Sequence, residues 1–152
     1  MASSSHYVPR CVLVGHRGCS APRRNATTAW SKTSTGLPIA VTFCAARPPA
    51  VSHIFVNCPG IESDVSLSPT VITDDANLVV LRVPLDSRSR IHNRHSDYFV
   101  YRVDPRRPSL DLLPNPYPET FGDNEIAILS CNGDDFVVAA LRIVPSIKPT
   151  FK

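Results

Sequence analysis

The stretch DYFVYRVDPRRPSLDLLPNPYP, Asp97 to Pro118, reads as a strand, a turn, a second strand and a proline-rich exit. Tyr98, Phe99, Val100, Tyr101 and Val103 are the β-branched and aromatic types that fit a pleated surface. Asp104-Pro105 and Arg106-Arg107-Pro108 halt that run in a turn, because proline fixes φ and lacks the amide donor that a continuing ladder needs. Leu110, Leu112 and Leu113 supply a second apolar run, and Pro114, Pro116 and Pro118 then forbid a helix. A unit of this kind sets the expected class: all-β, built of antiparallel sheets, with little helix.

The flanking sequence repeats the pattern. Downstream, Glu125 to Ser130 and Phe136 to Val144 form a hairpin candidate across Cys131-Asn132-Gly133-Asp134-Asp135, where Asn-Gly is a strong turn signal. Upstream, Val71-Ile72 and Leu78 to Val83 surround Asp74-Asp75-Ala76-Asn77, which suits either a turn between two strands or a short helical turn. Pro38 to Ala45 and Val51 to Cys58 are two further strands around Arg47-Pro48-Pro49, and the second is apolar on both faces, as a covered strand is. Val8 to Val14, interrupted by Pro9, suits an edge. Cys19 to Gly36 is small, polar and basic; it reads as an irregular loop with Trp30 as its anchor into the core. The expected organisation is a poorly ordered basic segment over 1–37 with one possible strand near 8–14, a β-rich domain over 38–145 and a tail over 146–152.

The chain has 152 residues, 43% of them hydrophobic, which is enough to bury a core and too apolar for a disordered tail. Its 15 prolines, about twice the average frequency, fall between apolar runs, as short strands joined by turns require. No apolar run reaches the roughly 18 residues of a membrane-spanning helix. The net charge of +3 conceals an asymmetry: Arg10, Arg17, Arg23, Arg24, Lys32 and Arg47 precede the first acidic residue, Glu62, and acids outnumber bases thereafter. Such a start is either an ordinary β-rich beginning, consistent with an intracellular protein of cytoplasm or nucleus, or an organelle transit peptide for chloroplast or mitochondrion. It lacks the apolar core of a secretory signal, so the sequon at Asn25 is not expected to be glycosylated. Cys11, Cys19, Cys44, Cys58 and Cys131 are odd in number and lack a C-x-x-C pair, so free thiols are expected, with neither a disulfide framework nor a zinc knuckle.

Three short blocks, Leu81-Arg82-Val83-Pro84, Tyr101-Arg102-Val103-Asp104-Pro105 and Leu141-Arg142-Ile143-Val144-Pro145, each close a strand with arginine, an aliphatic residue and then proline, at arginine spacings of 20 and 40 positions. A period near 40 is that of a four-stranded propeller blade. More specifically, the succession Pro48-Pro49-Ala50-Val51-Ser52-His53-Ile54-Phe55-Val56-Asn57-Cys58-Pro59-Gly60, then Leu78 to Val83, then Asp97 to Leu110 with Leu112-Leu113-Pro114, resembles the N-terminal part of the grass-expanded plant family grouped as domain of unknown function 1618 (DUF1618). Asn25-Ala26-Thr27-Thr28-Ala29 and Ser34-Thr35-Gly36 are similar to what precedes those blocks in that family. The resemblance spans roughly Val8 to Val144 and implies a plant protein. It also implies a partial β-propeller-like assembly, since family members look distantly like the propeller-type domain associated with F-box proteins. That family carries no activity to transfer.

For chemistry, the sequence holds no nucleophile elbow, phosphate loop or dinucleotide fingerprint, and no enzyme, cofactor or small-molecule ligand is expected. His92, His95 and Asp97 match no standard metal spacing. Asp74-Asp75 and Asp134-Asp135 read as turn residues that accept backbone hydrogen bonds. Arg88, Arg90 and Arg94, with His92 and His95, form a basic loop that attracts phosphate, yet no aromatic residue interleaves with them, so nucleic acid is an unlikely partner there. Tyr98 and Tyr101 with Arg102, Arg106 and Arg107 form a candidate interaction surface, because interfaces favour aromatics and arginine. The expected function is a non-enzymatic protein-interaction scaffold with an unknown protein partner. The alternatives are a truncated family member without independent activity and a weak nucleic-acid binder through loop 88–95.

Overall fold

β3 and β4 pair residue for residue across Leu37, from Ala29↔Val41 to Lys32↔Pro38, so the sheet begins well before the boundary expected there. The computed structural model that shows this describes residues 11–61, 68–86, 95–114 and 122–141. Among them the regular structure is all-β, with a 3₁₀ turn at Asp123–Glu125 and no α-helix. The strands are β1 (Leu13–Val14), β2 (Cys19–Ser20), β3 (Ala29–Lys32), β4 (Pro38–Cys44), β5 (Val51–Asn57), β6 (Thr70–Asp75), β7 (Leu78–Pro84), β8 (Ser96–Arg102), β9 (Ser109–Leu112), β10 (Ile126–Ser130) and β11 (Phe136–Ala140). They form three sheets in chain order: sheet I (β1 to β5), sheet II (β6 to β9) and sheet III (β10 and β11).

Sheets II and III are antiparallel meanders, and so is the β3-β4-β5 part of sheet I. Both β1 and β2 lie parallel to β5 along one edge, against the antiparallel expectation. Between them the chain steps across to sheet II: the amide of Val71 donates to the His16 carbonyl at 2.8 Å and that of Gly18 to the Pro69 carbonyl at 2.8 Å. A side chain on Gly18 would stand 3.1 Å from Cβ of Pro69, so the close approach favours glycine there.

In sheet II the opening stretch forms β8 and β9 in the expected pairing, with Tyr101 opposite Leu110. The alternatives at Asp74 to Asn77 resolve to a hairpin: Asp75 pairs with Leu78, and Ala76 takes a left-handed φ of 54° between them. In sheet III, Gly133 at φ 77° completes the turn of the expected hairpin, and β11 ends at Ala140.

Alternation then assigns every side chain to a layer. On one face of sheet II, Val79, Leu81, Val83, Phe99, Tyr101 and Leu110 pack with Ala29, Ile39, Val41, Ile54 and Val56 of sheet I. On the other, Leu78, Val80, Tyr98 and Val100 pack with Ile126 and Ile128 of sheet III. Sheet II is thus the middle of three layers, which is why β7 and β8 read as unbroken apolar runs.

Trp30, expected to anchor an irregular loop in the core, lies on β3 and is 57% exposed; its neighbour Ala29 takes the buried position. Residues 8–10 of the first strand candidate, most of linker 63–69, the proline-rich exit 115–118, Arg142 and the tail 146–152 lie outside the described residues.

Candidate functional site

The residues proposed from sequence as an interaction surface do not converge on one. Tyr101 is fully buried between sheets I and II, where its hydroxyl donates to the Thr27 carbonyl at 2.7 Å. Tyr98 is buried on the opposite face of the same strand, between sheets II and III. Both are core residues, because a strand covered on both faces buries consecutive side chains. Burial is the largest cause that pushes each phenol up to about 12; the Thr27 side chain opposes it at Tyr101, while at Tyr98 Asp123 adds to it and Arg82 opposes it.

Arg102 and Arg107 serve the fold. Arg102 Nη2 donates to the Asp134 carbonyl at 2.6 Å, and Arg107 Nη2 to Asp134 Oδ1 at 3.0 Å, so both hold the turn of sheet III. Arg106 is exposed in the β8–β9 turn, with its backbone amide bonded to Asp104 Oδ1 at 2.9 Å. Arg88, Arg90 and Arg94 lie outside the described residues, as does His92.

The remaining polar candidates are likewise tethers. Asp97 accepts from the Ser34 amide at 2.7 Å, which joins sheets I and II, and His95 faces Asp86 at 3.7 Å. Asp75 does accept backbone hydrogen bonds, foremost from Ser130 of sheet III and also from Ala76 of its own turn; Oδ2 takes the Ser130 amide at 2.7 Å and hydroxyl at 2.9 Å. Those two bonds hold its carboxyl below the usual range. Arg82 Nη1 meets Asp123 Oδ2 at 2.8 Å, fastening the entry to β10. Asn25, the sequon residue, bonds the Phe43 carbonyl through Nδ2 at 2.8 Å and the Thr27 amide through Oδ1 at 2.7 Å. The cysteines are free, and burial pushes the Cys58 thiol up, as a thiol acting as a small core hydrophobe requires. Among the described residues no group of histidine, cysteine and carboxylate side chains could hold a metal ion, and no helix is long and apolar enough to cross a membrane.

Two surfaces missed by the sequence reading stand out at the ends of the stack. The outer face of sheet III consists of Ala127 and Leu129 on β10 and Val137 and Ala139 on β11, paired Ala127↔Ala139 and Leu129↔Val137. Leu141 follows on the same side, its amide bonded to the Glu125 carbonyl at 2.7 Å. Leu129, Val137 and Leu141 are 61%, 55% and 75% exposed. The signal was present as apolar residues at consecutive positions 126–129 and 136–141, which mean a strand apolar on both faces; it does not say that only one face is covered. At the other end, the outer face of sheet I carries Trp30, Lys32, His53 and Phe55.

No family model, curated protein or solved structure matches the chain.

Proposed function

We propose that the protein is a non-enzymatic interaction scaffold that docks an apolar sheet face of a partner protein on the outer face of sheet III. The observation that carries this reading is the uncharged aliphatic surface of Ala127, Leu129, Val137, Ala139 and Leu141. Contiguous exposed apolar patches are surfaces on which a partner can bury area, and the largest on a protein is often functional. The inner face of the same hairpin supplies the mode: Ile126, Ile128, Phe136 and Val138 meet sheet II by period-two alternation. The outer face repeats that spacing, so another pleated apolar surface is its natural complement.

Three sheets stacked in chain order, the middle one a four-stranded meander, support a partial-propeller arrangement in which sheet III begins a blade. The resemblance to the plant family of unknown function belongs to the same reading. A hairpin about 17 Å long and 10 Å wide offers far less than the roughly 800 Å² per partner of a standard interface. Association through this face alone is therefore weak and reversible.

The test is a photo-crosslinking amino acid placed in turn at Leu129, at Val137 and at Lys32 as the control. The reading expects one adduct at 129 and 137, absent at 32 and abolished by an added Leu141→Lys, with the crosslinked peptide of the partner mapping to a strand whose alternate residues are apolar. Identical adducts at all three positions, or adducts between two copies of the chain alone, would overturn it.

A further inference from the structure

The outer face of sheet I has a different chemistry from that of sheet III, and its use is independent of the scaffold reading. The pairs Trp30↔Ala40, Ala40↔Asn57, Thr42↔Phe55 and Cys44↔His53 place Trp30, Phe55 and His53 on one pleated surface, with Lys32 two residues beyond Trp30 on the side away from Phe55. The connection from β2 to β3 runs across it, held where Thr42 Oγ1 donates to the Arg23 carbonyl at 2.8 Å. This brings two guanidinium groups over two rings: Arg23 lies 5.3 Å from the Phe55 centroid and Arg24 4.8 Å from that of Trp30. His53 meets Phe55 edge-on at 6.4 Å. Sheet I lies wholly before Glu62, so none of its strands or turns carries a carboxylate to neutralise Arg23, Arg24 and Lys32.

We propose that this face binds single-stranded nucleic acid, with bases stacking on the Trp30–Arg24 and Phe55–Arg23 layers and phosphates drawn to Arg23, Arg24 and Lys32. Each element has a physical reason. A polyanion is the complement of an acid-free cationic surface, and it gains by releasing counterions. Planar rings and guanidinium groups present π surfaces on which any base stacks, which an acidic peptide does not use. Trp30 and Phe55 stand two strands apart and two residues out of level, about 12 Å by strand geometry. Paired bases hide their faces within a duplex, so exposed rings and guanidinium planes on a sheet face select the single strand. The aromatic interleaving that is missing from loop 88–95 is supplied here by strand register, from residues 25 positions apart in sequence.

Trp30 is the chain's one tryptophan, so its fluorescence reports this face alone. The full chain is titrated with an end-labelled oligothymidylate or oligouridylate of about 12 nucleotides, within the span of known single-strand sites. Tryptophan emission and the anisotropy of the label are followed together at several salt concentrations. The expected result is quenching of Trp30 in step with anisotropy, with affinity falling as about the second power of salt concentration for three neutralised phosphates. Trp30→Leu, read by anisotropy, should weaken binding about tenfold. Arg23→Glu with Arg24→Glu should abolish it, while Arg24→Lys, which keeps the charge and loses the plane, falls between. Trp30 and Arg24 are exposed, so these variants keep the amide protection of the parent, which is measured in parallel. Retention of quenching in Arg88→Glu/Arg90→Glu/Arg94→Glu supports the sheet face. The proposal is overturned if the oligonucleotide leaves Trp30 unquenched, if that loop variant loses binding while Trp30→Leu keeps it, or if polyglutamate quenches Trp30 as effectively as the oligonucleotide.

Discussion

The two inter-sheet interfaces are built on different principles. Between sheets I and II, both sides contribute full-length strands, and the buried cluster includes Phe99, Tyr101, Leu81, Ile39 and Ile54, each at most 1% exposed. Of its long-range polar links, Tyr101 to Thr27 lies buried inside that apolar layer and Ser34 to Asp97 is part-buried, reached from an exposed turn. Between sheets II and III the buried cluster is half as numerous, and sheet III contributes Ile126 and Ile128 from a single strand. Here polar clasps stand around the rim: Arg82 to Asp123, Asp75 to Ser130, and Arg102 and Arg107 to Asp134. Apolar burial scales with area, whereas partly exposed ion pairs contribute little and are screened. The first interface should therefore carry global stability. The second should fix where the hairpin sits while leaving it the first part to open.

The largest expected effect tests this division directly. Phe99→Ala empties a site enclosed on all sides and should cost about 3–5 kcal/mol, a large share of the roughly 5–15 kcal/mol of a domain. Ile128→Ala should cost about 2 kcal/mol, at the low end for such truncations because only one side of its strand is covered. Segment-resolved amide exchange separates the two: Phe99→Ala should lower protection throughout sheets I and II, Ile128→Ala over 126–140 alone. Equal loss in all three sheets from either variant would make the stack one cooperative unit and erase the distinction.

A smaller effect comes from alkaline pH, because each interface contains one buried tyrosine. A phenol with an ordinary value of 10.0 that is raised to about 12 in the fold gives up its proton more readily when the chain is unfolded. The unfolded state then binds fewer protons, so stability is intact below pH 10 and declines from there to about pH 12. Thermal melts across that range should show the decline, and Tyr101→Phe should flatten it. At neutral pH the same variant leaves the Thr27 carbonyl without its donor, at about 1 kcal/mol. A decline of the same steepness in Tyr101→Phe would assign the alkaline transition to other groups.

Acid pH gives the smallest effect and touches only the second interface. The Asp75 carboxyl is lowered from 3.8, first by the Ser130 amide and then by its hydroxyl. Its contribution is present above pH 3.8 and is lost as pH falls through the depressed folded value. Exchange at the Ser130 amide should quicken over that acid range while β8 stays protected, and Asp75→Asn should show the quickened exchange already at neutral pH. An unchanged Ser130 amide in that variant would mean that the clasp does not hold the hairpin.

Strand positions were legible wherever local chemistry suffices. The β8–β9 unit, the β10–β11 hairpin and the pair β4 and β5 follow from apolar periodicity punctuated by proline and glycine, since φ restriction and missing donors act within a few residues. β3 escaped because Ala29-Trp30-Ser31-Lys32 alternates small with polar or aromatic residues, and its pairing with β4 comes from a neighbour rather than from its own composition. The candidate surface failed for a related reason. Aromatic residues and arginine on one strand are equally the makings of a core and of an interface, and β8 became core once sheets I and III covered both its faces.

What the sequence determined by itself was the all-β class and the main hairpins, because these depend on dihedral preference and side-chain period; the strand it read as covered on both faces, Val51 to Cys58, is open on one. Only tertiary structure decided which faces stay open. Three sheets stacked in a row leave two outer surfaces, and register alone brings Trp30, Phe55 and the guanidinium groups of Arg23 and Arg24 together on one and leaves Leu129 and Val137 bare on the other. Exposure is a property of what packs nearby, and no residue carries that information in its own identity.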